Sequence, residues 1–202
     1  MFALVESGSI TKFLNGNKGI QLGDLKYPRA IYTLWTEAER NAIGIYEIVY
    51  DDTNKKDERW FINTNQSYAF ANSTVTATYG SATAKAHADT NFTEEDEDNG
   101  LGTEGEVKTR GLKYNLIRDV KISAANELAK TDWYITRNAE KSTAIPSAIT
   151  THRDLVRSRQ ATMETQITNA SDTPALETLY TYTTDSDGVQ SRPLAELPTL
   201  EI

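Results

Sequence analysis

Two stretches of this chain hold residue types that could do chemistry. The first, Asp89 to Glu106, carries eight acids (Asp89, Glu94, Glu95, Asp96, Glu97, Asp98, Glu104, Glu106) and no Lys or Arg. Set against the twelve-residue calcium loop, Glu95, Glu97 and Asn99 fall at positions one, three and five, Gly100 at six and Glu106 at twelve. Glu in place of the shorter Asp at positions one and three crowds the ion, and Gly102 stands where the anchoring hydrophobe belongs. The register therefore favours a solvated acidic loop over a calcium site. The second stretch is LAKTDWYITR, Leu128 to Arg137, with Arg153 and Arg157 beyond it. Tryptophan and arginine are common interface anchors, which makes Trp133, Arg137, Arg153 and Arg157 candidate partner-binding residues. Arg153 and Arg157 are one helical turn apart and share a face, and pairing with Asp132 would clamp the turn to that helix. Thr131, Asp132 and Pro146 read as turn-forming residues. Packing of Trp133 between two helices is the favoured reading of the indole, because a buried Trp contributes so much apolar area.

The remaining candidates are weaker. His87 and His152 are the only histidines and neither has a second histidine at a ligand spacing. Cysteine is absent, which excludes disulfides, thiolate metal sites and a cysteine nucleophile. Glu6, Glu47, Asp51 and Asp52 could suggest a glycosidase pair, but acids are too common here for that to count. Gly16-Asn-Lys-Gly19 lacks the spacing and following helix of a phosphate loop, and Asp185-Ser-Asp-Gly188 reads as a turn. No catalytic motif is present, and no cofactor or metal is expected.

Composition narrows the classes further. The net charge is -8. The acidic stretch accounts for all of it, since outside it the chain carries 21 acids and 21 bases. A general nucleic-acid surface needs a basic field and is not expected. No apolar run is long enough to span a bilayer, and Met1 to Ile10 lacks the basic region and long apolar run of a leader. With 38% hydrophobic residues in 202, several modest packed units are expected rather than one large cavity.

These residues must be positioned by elements that the pattern makes legible. Met1–Val5, Ile10–Leu14, Ile45–Tyr50, Arg59–Ile62, Gln66–Phe70 and Ser73–Tyr79 read as strands. In the last, Thr74, Thr76 and Thr78 alternate with Val75, Ala77 and Tyr79, as a strand with one solvent face requires. Thr36 and Glu39 form a capping-box signature for one short helix, Glu37 to Ala42, ended by Gly44. From Val107 the period changes. Leu112, Leu116, Val120, Ala124 and Leu128 recur every four residues, giving a helix of about twenty residues. After the Trp133 turn, Pro146 opens a second helix, Ser147 to Ile167, with Ile149, Val156, Met163 and Ile167 on its apolar face. Asp172-Thr-Pro174 starts a short third helix. The fold class is α+β: a small β-rich N-terminal unit with one short helix, then a helical hairpin with a short third helix. The domains expected are 1–88 (divisible into 1–50 and 57–88), a mobile acidic loop at 89–106, a helical domain at 107–182 and an extended or loosely docked tail at 183–202.

Leu128, Thr131, Asp132, Trp133, Arg137, Ile145, Pro146, Arg153 and Arg157 together form a pattern: a helix leading to Leu-x-x-Thr-Asp-Trp, an Arg-containing turn, Ile-Pro, and a helix with two spaced arginines. With DTPALETLYTY at Asp172–Tyr182, this region resembles small tail proteins of tailed bacteriophages. These are often labelled tail-fibre or tail assembly chaperones and include virion proteins of marine phages. The opening MFALVESGSI, Tyr27-Pro28 and the Trp35–Ile45 run are similar to the start of many phage tail and fibre-associated proteins. The resemblance implies a non-enzymatic structural component of a virion tail, made in the bacterial host cytoplasm. Its partners would be other tail proteins (fibre, baseplate or tube) and further copies of itself, with no nucleic acid and no membrane. A fibre assembly chaperone is the alternative, and the absence of Trp after Trp133 ranks it second. A tail glycan hydrolase and a host-receptor binder rank below both.

Overall fold

The computed structural model describes residues 1–200, and these form two compact units, Met1–Thr83 and the chain from Ala84 onward. The protein is α+β, β-rich in its N-terminal part and helical towards its C-terminus.

In the first unit, β1 (Phe2–Glu6) and β2 (Ser9–Leu14) form a hairpin. The short hairpin of β3 (Ile20–Leu22) and β4 (Leu25–Tyr27) follows. Two helices come next, α1 (Ile31–Leu34) and α2 (Glu37–Ala42), where the sequence predicts only the second. The Thr36 hydroxyl accepts from the Glu39 N–H while the Glu39 carboxylate accepts from the Thr36 N–H, so the expected capping box forms. β5 (Ile45–Asp51), β6 (Phe61–Ile62), β7 (Ser67–Ala71) and β8 (Thr74–Thr78) complete the unit. The main sheet has the order β2-β1-β5-β8-β7, with β5 and β8 parallel and every other neighbour antiparallel.

Strand alternation gives this sheet two apolar faces. Ala3, Val5, Ile48, Val75 and Ala77 fill one, with Tyr46, Tyr68 and Phe70 against them. Leu4 and Ile45 point the other way, into a cluster with Leu14, Ile20, Ile31 and Tyr32. The helices and the β3–β4 hairpin thus cover the second face. The sheet curls far enough for its two edge strands to meet: the rings of Phe13 on β2 and Tyr68 on β7 are 4.6 Å apart.

β9 (Thr83–Ala84) spans the boundary between the units. In the second unit the acidic stretch departs from the mobile loop expected. β10 (Thr90–Asn91) and β11 (Val107–Thr109) pair across it, and α3 (Glu94–Asp98) forms between them. Thr93 and Asp96 make a second capping box, and four acids in the first turn oppose the helix dipole's positive end. Bases just beyond the stretch neutralise part of it: Lys108 donates to Asp96 at 2.6 Å and Arg110 to Asp89 at 2.6 Å.

α4 (Leu112–Ala129) and α6 (Ser147–Asn169) follow the predicted stripes, burying Leu116, Val120 and Ala124 on one and Ile149, Val156, Met163 and Ile167 on the other. They pack antiparallel, since Lys113 donates to the Thr168 carbonyl while Arg153 donates to the Leu128 carbonyl. Between them lies a helix where the sequence reads a turn, α5 (Asp132–Lys141). α4 begins at Gly111, where a Cβ would come within 2.3 Å of the Ala88 backbone, so only glycine fits. α7 (Thr173–Tyr180) is capped by the Asp172 carboxylate. The tail is pinned rather than loose. β12 (Thr183–Thr184) pairs with β13 (Gln190–Ser191), Leu194 is fully buried, and Gln166 bonds both the Pro193 carbonyl and the Ala195 N–H.

Candidate interaction surface

The connection from α4 to α6 divides its residues into a buried side and an exposed side. Thr131 is wholly buried at the N-cap of α5. Its hydroxyl donates to the Leu128 carbonyl at 2.9 Å and accepts from Arg153 Nη1 at 2.7 Å. The same Nη1 also reaches the Leu128 carbonyl at 2.8 Å and Asp132 Oδ1 at 2.8 Å. One nitrogen with two protons thus serves three oxygens, so at least one proton is shared. Asp132, the first residue of α5, is largely exposed, so most of the node's rigidity comes from the two buried acceptors. The anticipated clamp from Asp132 to α6 is therefore made by Arg153. Pro146 is the N-cap of α6, its carbonyl accepting from Ile149 and Thr150.

A few residues away, His152 Nε2 lies 3.5 Å from Glu127 Oε1 across the α4–α6 interface. Neither atom makes a hydrogen bond, and Lys130 takes the other oxygen of Glu127.

Trp133 does not pack between the helices as expected. It is 51% exposed. The cause is α5 itself: continuing helically from Asp132 turns the indole outward, on a helix with no buried residue. Its ring centroid lies 4.0 Å from that of Tyr134, and the Arg137 guanidinium sits 4.6 Å over the indole and 5.7 Å from the tyrosine ring. Arg137 Nε is buried and donates to no oxygen, and no carboxylate pairs with this side chain among the described residues. Arg157 is exposed, and its one polar partner among the described residues is Asp154, at 3.4 Å. The three arginines therefore do not form one basic cluster. Arg153 is structural, Arg137 belongs to an aromatic stack, and Arg157 lies in solvent.

No family model, curated protein or solved structure matches this chain. Three of the four carboxylates weighed as a glycosidase pair are tied up locally. Glu6 accepts from Thr11, Glu47 lies 3.5 Å from Arg40, and the Thr53 side chain and backbone hold Asp51 below the usual carboxylate range. Glu95 to Asp98 are helical, so the calcium-loop register has no loop to act in. Among the described residues no group of three or more His, Asp or Glu is placed to hold a metal, and no helix is long and apolar enough to cross a membrane.

The sequence signal for α5 was present in its residue types. Thr131 is a good N-cap, and Tyr134 to Lys141 contains no Gly or Pro to stop a helix. Ser142, left-handed at φ 53, is where it ends.

Proposed function

We propose that this chain is a non-enzymatic structural component of a bacteriophage tail, attached near the fibre or baseplate and acting through protein–protein contacts. The observation that carries the reading is α5, a ten-residue helix with no buried residue that displays Trp133 and Ile135 to solvent. An exposed Trp beside a stacked Arg, on a helix held rigidly at its start by Arg153, has the character of an interface anchor. That helix lies inside the stretch whose residues resemble phage tail proteins. In this reading α4 and α6 are the arms of a helical hairpin, α5 is the tip it presents, and α7 is the short third helix. The partners are other tail proteins and further copies of the chain. The protein resides in the virion tail after synthesis in the host cytoplasm.

Quantitative mass spectrometry of purified virions tests this. The chain is expected at a fixed copy number per particle. Presence in the infected lysate with absence from virions would replace the reading with a fibre assembly chaperone. Glycan turnover by the purified chain, lost on changing one carboxylate, would replace it with a tail enzyme.

A further inference from the structure

α5 presents a second regularity. Trp133, Arg137 and Lys141 succeed one another at four-residue spacing, so an indole and two cations lie along one face. Among the described residues neither cation has a carboxylate partner. α3 carries the reverse pattern. Glu94 and Asp98 are exposed acids one turn apart without ion-pair partners, and Leu101, 61% exposed, follows at the helix's end. Read from its C-terminal end, α3 gives Asp98 then Glu94, two acids, with Leu101 beyond it past the left-handed Gly100. Read from its N-terminal end, α5 gives Trp133, Arg137, Lys141: apolar, cation, cation. Glu94 and Asp98 are four residues apart on α3 and Arg137 and Lys141 four residues apart on α5, each pair about 6 Å at helical rise, so the two charge pairs superpose when the helices run antiparallel.

We propose that α5 of one copy of this chain receives α3 of a second copy, with Asp98 against Arg137 and Glu94 against Lys141. The proposal rests on α5 being an interaction face, and it names the occupant. Charge complementarity selects a second copy, because the chain carries both halves of the match and closes neither on itself. The Arg137 guanidinium is already held flat by Trp133 and Tyr134, so little side-chain freedom remains to be lost when an acid arrives. The contact joins two different patches, so it is heterologous and builds a ring or a row of copies rather than a two-fold dimer.

Sedimentation velocity of the full chain tests it, at low and high salt. The wild type is expected above monomer mass in low salt and closer to monomer in high salt, as screening requires. R137E/K141E and E94K/D98K are each expected to weaken association roughly tenfold or more while keeping wild-type circular dichroism. Mixed in equal amounts, the two variants restore association, because each now supplies the charge the other needs. A wild type that stays monomeric at sub-millimolar concentration in low salt, or a mixture that does not recover, overturns the proposal. If the wild type is monomeric while R137E/K141E is lost from virions, α5 faces a different protein. The copy-to-copy contact then fails and the reading of α5 as an interaction face stands.

Discussion

Arg153 and Arg137 flank the same turn and meet opposite surroundings. Arg153 is 9% exposed, and its Nη1 is given oxygens from Leu128, Thr131 and Asp132. Arg137 is given ring faces and no oxygen. A guanidinium whose protons are consumed inside the chain fixes the chain. One whose plane is stacked and whose protons are left over is oriented for another molecule. The division falls between adjacent residues: Thr131 and Asp132 serve the first arginine, Trp133 the second.

The contrast makes its largest demand on Arg153. Arg153→Ala removes the guanidinium that ties Leu128, Thr131 and Asp132 to α6 and leaves the buried Thr131 hydroxyl without its donor, and a loss of about 2–4 kcal/mol is expected in urea unfolding. A loss near zero would mean that water takes over these bonds and that the two arginines do not differ in kind. Trp133→Ala should cost under about 1 kcal/mol, because an exposed indole gives up little burial. A loss of about 3 kcal/mol or more, the size typical of a buried Trp, would put Trp133 back in the core.

The smallest effect concerns the acidic hairpin. The Gly111 N–H and Arg110 hold the Asp89 carboxyl below its ordinary range, and Lys108 with the Thr93 N–H does the same for Asp96. Both groups favour the folded state while ionised. Their contribution is therefore intact above the unfolded carboxylate range and is lost as pH falls below about 4. Hydrogen-exchange protection at Phe92 and Gly111 should fall there before the α4–α6 core responds, and D89N/D96N should flatten that dependence. Unchanged protection down to pH 2–3 would show that these pairs do not hold the hairpin.

Much of this was legible in the residues. The Leu116–Val120–Ala124 stripe, the Thr36–Glu39 box and the Thr/Val alternation of β8 are local patterns, and local patterns survive folding. The misses have particular causes. Five consecutive acids from Glu94 read as a solvated loop, yet Thr93-x-x-Asp96 is a capping signature of the kind recognised at Thr36. Trp133 suggested burial by size alone, and only the helical continuation from Asp132 turns it outward. Leu194, in an irregular tail just after Pro193, has no period to announce that it is fully buried. The partner of Asp132 was foreseen as an arginine. That it would be Arg153, with Thr131 as the second acceptor, depends on the antiparallel placement of α6, which no spacing encodes.

The parallel pairing of β5 with β8 bears on time. An antiparallel neighbour can zip up from its turn, but a parallel one must wait for the intervening chain to travel back. Here β1 meets β5 through partners as far apart as Phe2 and Glu47, and β5 meets β8 across a further crossover. Such distant pairings must be closed before they are rewarded, and they slow folding. The N-terminal sheet therefore waits on those closures, whereas α4, α5 and α6 each form their own backbone bonds between residues four apart.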